Sequence, residues 1–248
     1  MEPFFSENHA SALSQLGDKP HRLEREETTY PGWMDYAREL SRQLRYREAI
    51  LAYTQALTLS PGSREALRQR GGKYLATLQP ERAMVDFERC RSLGGQEEDL
   101  SYRMGMSWFY AGVYGRAMEE FARCREAAGE EMGIAAIYWS MIAAWRLGRE
   151  SALLQTYRQD MAVGHHTAYA FVVKTVLGYL PLEQALWELD AQEDDLEFSM
   201  QGYGLAAYCA HLGHSDTAQA ICQEILSRDN FWISFAFLAA WNDRTGTI

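Results

Sequence analysis

The sequence lacks the features that are typical of membrane, secreted or disulfide-bonded proteins. No stretch approaches the ~18 consecutive apolar residues of a membrane-spanning helix, and the richest segment, residues 231–241, is far too short. The first twenty residues lack the basic start and apolar run of a secretory signal. The four cysteines are expected to be small buried side chains in a reducing compartment. These absences favour a cytoplasmic protein with no membrane contact.

Recognisable catalytic and metal-binding patterns are also missing. There is no Walker loop, no Gly-x-Ser-x-Gly and no recognisable pair of catalytic carboxylates. His211 and His214 are three residues apart, but no carboxylate or cysteine pair completes a tetrahedral metal site. The acidic run at 193–197 lacks the alternating spacing and central glycine of a calcium loop. We therefore expect no enzyme activity, no cofactor and no metal.

Basic residues are few, and the charge is unevenly distributed. The net charge of −10 argues against general nucleic-acid binding, because phosphate contacts need a basic surface. Residues 30–125 hold 15 Lys/Arg and 12 Asp/Glu, whereas residues 126–248 hold 6 and 16. Either these are ordinary solvated helix faces, or the two halves dock different partners or other copies of the chain.

A 34-residue spacing recurs through the first half of the chain. It relates Ala49, Ala83 and Ala117, and several other sets share it. They are Tyr53, Phe87 and Phe121; Ala56, Cys90 and Cys124; Ala37, Gly71 and Gly105; and Leu40, Tyr74 and Trp108. A period between 20 and 50 residues indicates a solenoid, in which each unit buries its apolar face against its neighbours.

Within each period the apolar residues recur at helical spacing, which predicts a pair of helices. The residues at the positions of Gly71 and Ala83 are small, and small side chains let two antiparallel helices approach to about 8–10 Å. The large residues at the position of Phe87 then fill the space toward the next pair. Pro61-Gly62 and Gly94-Gly95 are typical of the breaks between helices.

This pattern resembles the tetratricopeptide repeat (TPR) family. The matching residues are Trp33, Gly71, Gly105, Tyr74, Ala49, Ala83, Ala117, Tyr53, Phe87, Phe121, Ala56 and Pro61. The likeness is specific over 30–131, degenerate over 132–194 and partly restored over 195–245. It implies an all-α, right-handed α-α superhelix, a TPR-like solenoid of about six helical hairpins plus a C-terminal capping helix.

The expected organisation is a partly ordered N-terminal arm, 1–29, followed by one solenoid domain, 30–248. Within this domain, 30–131 forms regular repeats and 132–194 forms degenerate hairpins. The fourth hairpin is predicted from helices at 132–147 and 151–163, and the fifth from 165–179 and 181–191. The last repeat spans 195–229, and the capping helix spans 230–244.

The resemblance also implies a concave groove, lined by the first helix of each hairpin, that takes a peptide or helix of a partner. Carried over by register, the groove residues are Arg38, Arg42, Arg68, Gln69, Tyr102, Arg103, Met106, Phe109 and Tyr110. Arginine and aromatic side chains are favoured at binding hot spots, so an acidic segment with an apolar anchor is the expected ligand. Alternatively, the arginines pair with neighbouring carboxylates and the aromatics pack against the next hairpin.

The capping helix is apolar nearly all round, which is unusual for the end of a solenoid. Either it packs between the fifth and sixth hairpins, or it meets a partner or a second copy. The residues of that face are Phe231, Trp232, Phe235 and Trp241. The sequence therefore favours a protein–protein interaction scaffold or adaptor. The alternative is a self-assembling structural protein, for instance a homodimer formed through the capping helix.

Overall fold

The structure, a computed structural model, describes residues 10–17, 20–228 and 232–245. Over these ranges all regular structure is helical: thirteen α-helices and one 3-10 helix, Ala152–Thr156. In chain order the α-helices are α1 (Ala10–Leu16), α2 (Tyr30–Arg42), α3 (Tyr46–Leu59), α4 (Arg64–Ala76), α5 (Pro80–Ser92), α6 (Glu97–Tyr110), α7 (Tyr114–Ala127), α8 (Glu130–Trp145), α9 (Thr167–Val176), α10 (Leu182–Asp190), α11 (Asp195–His211), α12 (Ser215–Ser227) and α13 (Phe235–Thr245). Consecutive hairpins stack on one another into an all-α solenoid of TPR-like units, which confirms the predicted fold class.

Close helix crossings explain the small residues of the repeat. A methyl group added to Gly71 would lie 2.6 Å from the ring of Phe87, and one added to Gly105 would lie 2.5 Å from the ring of Phe121. Both rings are fully buried. The aromatic side chain of the second helix therefore occupies the space that a first-helix side chain would need.

The turn inside each hairpin repeats with the same 34-residue period. Leu44, Leu78 and Gly112 have positive φ angles of 57°, 52° and 72°. The N–H of the following residue closes the turn onto the preceding helix, as Arg45 to Leu40 O, Gln79 to Tyr74 O and Val113 to Trp108 O. This is the left-handed termination by which many α-helices satisfy their last carbonyls.

The fourth hairpin differs from the prediction. Its first helix, α8, forms as expected, but the helix predicted over 151–163 is only a short 3-10 turn followed by irregular chain. Side chains hold this segment: the Ser151 hydroxyl contacts the Ser140 hydroxyl at 2.8 Å, and the Glu130 carboxylate accepts the N–H of Ala162 at 2.7 Å. Because these side chains already provide hydrogen-bond partners for the segment, forming a second helix would add little stability.

The fifth and sixth hairpins form where they were predicted, as α9–α10 and α11–α12. The capping helix begins at Phe235, later than the sequence suggested. It packs against α11 and α12 on one side and reaches α6 of the third hairpin on the other. The expected position between the fifth and sixth hairpins is therefore wrong, because the superhelix brings the end of the chain back across its own inner face.

The N-terminal helix α1 packs beside α3. The side-chain oxygen of Gln15 accepts the N–H of Arg47 at 2.7 Å, and the Arg47 guanidinium donates to the carbonyl of Gln15 at 2.8 Å. Ala12 is fully buried. This segment thus joins the first hairpin through specific hydrogen bonds.

Candidate protein-interaction groove

The first helices α2, α4 and α6 carry a row of cations on their inner face. Arg38 donates to Asp35 and to Glu65 of the next hairpin, both at 2.6 Å. Arg68 makes a two-pronged pair with Asp99 at 2.6 and 2.8 Å, and Arg103 reaches the same carboxylate at 2.8 Å. Two of these ion pairs, Arg38–Glu65 and Arg68–Asp99, link neighbouring hairpins, so the row follows the axis of the solenoid.

Asp99 is the centre of this cation row. Burial alone would raise its pKa, but the hydrogen bond from Arg68 and the charge of Arg103 outweigh burial and lower it. The same hydrogen bond raises the pKa of Arg68. Because one carboxylate serves two guanidinium groups, each of which has five N–H donors, both arginines retain donors for a further acceptor.

A cavity of about 610 Å³ opens beside these pairs, between α4 and the start of α6. Its lining includes Arg64, Glu65, Arg68, Cys90 and Gln96. Two further residues were predicted to line the groove: Arg42 is exposed, and Gln69 is half-buried. Of the predicted arginines, Arg68 and Arg103 thus share Asp99, and Arg38 pairs with Glu65 beside them.

The aromatic part of the predicted groove is not accessible. Tyr102, Met106, Phe109 and Tyr110 are all buried, so the expectation that they face an open groove is wrong. Phe109 packs edge-on against Trp139 of α8, at 5.2 Å between ring centroids. The next hairpin accounts for part of this burial, which is the alternative that the sequence left open.

The capping helix accounts for much of the remainder. The ring of Phe235 meets the ring of Tyr102 at 5.6 Å, in an edge-on arrangement. The Tyr110 hydroxyl donates to the carbonyl of Phe235 at 2.9 Å, and the Asn242 side-chain amide donates to the carbonyl of Tyr110 at 3.0 Å. The groove at α6 is thus filled by a helix that belongs to the chain itself.

Just before α13, Trp232 reaches the first hairpin. Its side chain is 4% exposed, and its ring contacts that of Tyr46 at 5.6 Å. The Lys73 ammonium lies over the same tyrosine ring, 4.2 Å from the centroid, and burial lowers the pKa of Lys73 to about 8. Sequence reasoning missed Tyr46 and Lys73. The one sequence signal was Trp232 itself, because a large apolar side chain at this position predicts that another part of a protein covers it.

The proposed partner face on the capping helix is therefore mostly internal. Trp232 and Trp241 are buried, Phe235 is half-buried, and Phe231 lies outside the described residues. At the far end of α13, Asp243 pairs with Arg146 and accepts a hydrogen bond from the Tyr203 hydroxyl at 2.9 Å. The prediction of an exposed apolar face for partners is thus wrong for Trp232 and Trp241, since the chain covers them itself.

The other candidate sites have ordinary surroundings. His211 stacks on Trp145 at 5.0 Å and pairs with Glu150 at 3.2 Å. Cys209 and Cys222 are free thiols, and burial raises the pKa of Cys222 to about 12. In the described part of the chain, no three His, Cys, Asp or Glu side chains are grouped to hold a metal ion. None of the described helices combines the length and apolar composition that crossing a bilayer requires.

The fold and the groove define the class of protein as an all-α solenoid of TPR-like hairpins. Its inner face carries the cation row, and its own capping helix covers the aromatic part of the groove. No family model and no curated protein sequence matches the chain. Among solved structures it is similar to YrrB, described as "a TPR protein with an unusual peptide-binding site". The two share 16% sequence identity over 86% of this chain and 90% of that one, with a TM-score of 0.45.

Proposed function

We propose that the chain is a protein-interaction scaffold whose cationic inner face binds an acidic segment of a partner. The observation that carries this proposal is the row of guanidinium groups that share carboxylates along α2, α4 and α6. Arg64 lies beside this row at the cavity, and the row itself comprises Arg38, Arg68 and Arg103. Three carboxylates pair with them, namely Asp35, Glu65 and Asp99.

An acidic peptide suits this face for two reasons. Guanidinium groups bind carboxylates through two parallel hydrogen bonds, which gives both affinity and orientation. The cavity beside Arg64 and Arg68 has a volume of about 610 Å³, within the range of ligand pockets, and so leaves room for an anchoring side chain. The aromatic residues at α6 are not part of the proposed site, because the capping helix covers them.

Charge reversal within the cation row tests this function. A fluorescent probe peptide in which glutamates flank a tryptophan should bind the wild-type chain, and its glutamine-for-glutamate version should bind much more weakly. Changing Arg68→Glu together with Arg103→Glu should weaken the acidic peptide by tenfold or more, the equivalent of ~1.4 kcal/mol or above. Fluorescence anisotropy at low salt measures both.

Arg116→Glu is the matched control, because Arg116 is an exposed arginine on α7, away from the inner face. It should leave the affinity unchanged. Binding should also fall as salt is added, since exposed charges are screened. Equal binding of the acidic and neutral peptides, or no loss in the double variant, would contradict the proposal.

Self-assembly through the capping helix, the alternative function, has little to support it, because the apolar residues of that helix are buried within one chain.

A further inference from the structure

Helix α10 presents an exposed tryptophan to solvent. Trp187 is 72% exposed, the highest value among the large apolar side chains of the described residues. Nearby in sequence, Tyr179 is 58% exposed. Tryptophan is among the side chains enriched at the hot spots of protein interfaces, so Trp187 is a candidate anchor for a docking contact.

Helix α10 itself carries only acidic and neutral side chains. Helical spacing places Glu183, Trp187 and Asp190 along one side of α10, while Ala185 and Leu189 are buried on the other. Glu188 adds a third carboxylate. No lysine or arginine occurs between Lys174 and Arg228 in the sequence, so α10 itself carries no cation.

This ridge has the chemistry that the cationic groove is proposed to bind. It combines carboxylates with an apolar anchor, and the groove combines a row of arginines, which retain free donors, with an open cavity. The helix α10 packs on α9 and α11 and is remote in sequence from α2, α4 and α6. A single chain therefore carries both halves of a complementary pair, one in its basic first half and the other in its acidic second half.

We propose that α10 of one copy docks, through Trp187, in the cationic groove of a second copy. This inference rests on the proposed function, since it names the groove's ligand as another molecule of the same chain. The interface is head-to-tail: it joins two different surfaces, so each bound copy still offers one free surface of each kind. Such interfaces grow into chains or close into rings.

Two variants that each disable one surface give a sharp test. Trp187→Ala removes the anchor, and Arg68→Glu with Arg103→Glu disables the groove. By sedimentation velocity at low salt, the wild type should associate increasingly with concentration, and each variant alone should be monomeric. An equal mixture of the two should form a 1:1 dimer and nothing larger, because one copy offers only its groove and the other only its ridge.

The control is Val85→Ala, which shortens another exposed apolar side chain, 64% exposed, on α5. It should associate like the wild type, and so should Trp187→Phe in large part. Circular dichroism checks that each variant is folded. If the double charge reversal unfolds the chain, Arg68→Gln with Arg103→Gln takes its place in the mixture.

The outcomes separate this inference from the proposed function. A wild type that stays monomeric at every concentration at low salt overturns the inference. If that monomer still binds the acidic probe peptide, the groove function stands and its ligand is another protein. If the monomer does not bind the acidic probe peptide either, both the inference and the proposed function fail. Association that survives Trp187→Ala, or a mixture that does not form the 1:1 dimer, also overturns the inference.

Discussion

At the scale of single residues, the repeated turn is where the backbone leaves its ordinary range. Gly112 has a φ of +72°, and a methyl group added there would meet no atom within 4 Å. Side-chain clashes therefore play no part, and only the left-handed backbone resists substitution. Gly112→Ala should lower the free energy of unfolding by about 1 kcal/mol, measured by urea denaturation.

The neighbouring Gly115 provides the control for that prediction. It too has open space around it, but it lies in the first turn of α7 with no positive φ. Gly115→Ala should leave stability unchanged or raise it by up to ~1 kcal/mol, because alanine is the better helix former. Equal losses for both variants would mean that the turn conformation is not the cause.

The buried amine of Lys73 is a second residue-scale feature. Burial penalises its charged form, so the folded pKa of about 8 lies below the ordinary value of 10.5. Below pH 8 the amine is protonated in both states and the folded state bears the penalty. As pH rises from 8 to 10.5 the folded chain loses this proton first, so the Lys73 contribution to stability increases across that window.

Lys73→Met keeps the length of the side chain and removes its charge. It should raise the free energy of unfolding at pH 7 by roughly 1–3 kcal/mol, and the advantage over wild type should shrink between pH 8 and 10.5. Denaturation curves of both chains across this range measure the difference. Lys174→Met, at an exposed site on α9, should show neither effect. A pH-independent difference would contradict the assigned cause.

At the scale of elements, the capping helix and the residues before it are held by the inner face. Trp232 is almost fully buried against Tyr46, so Trp232→Ala should cost about 3–5 kcal/mol through lost contacts and the cavity left behind. Thermal unfolding followed by circular dichroism measures it. Trp187→Ala removes the same side chain from an exposed site and should change stability by no more than about 0.5 kcal/mol.

A Trp232→Ala variant as stable as wild type would mean that this segment does not rest on the first hairpin.

The elements that sequence could predict are those whose register repeats. The pairing of Gly71 with Phe87 follows from spacing alone, and the structure confirms the helices on either side of it. The prediction of a helix at 151–163 was wrong, because contacts with Glu130 and Ser140 hold this segment. No local sequence pattern indicates these contacts. The cation row was likewise predictable by register, whereas its shared carboxylate, Asp99, required coordinates.

At the scale of the whole molecule, the closure of the groove was beyond local reasoning. The contacts of Tyr110 with Phe235 and Asn242 join residues 125 and 132 positions apart. Such contacts depend on the accumulated rotation of every intervening hairpin. The shortened fourth and fifth hairpins, which break the 34-residue register, set that rotation, and no repeat motif encodes it.

The same molecule-scale geometry places the two charged halves on different surfaces. The groove belongs to the arginine-bearing hairpins and the exposed ridge of α10 to the acidic ones. The uneven charge seen in the sequence therefore has a spatial counterpart.

The hydrogen bonds of Tyr110 to the capping helix have a consequence for how this chain can evolve. Most solenoids tolerate duplication or loss of a unit, because each unit contacts only its neighbours. Here an extra unit between the third and sixth hairpins would rotate and carry Phe235 away from Tyr110, leaving both without their counterpart. The number of units between these two contacts is accordingly constrained, whereas the surfaces of those units are free to vary.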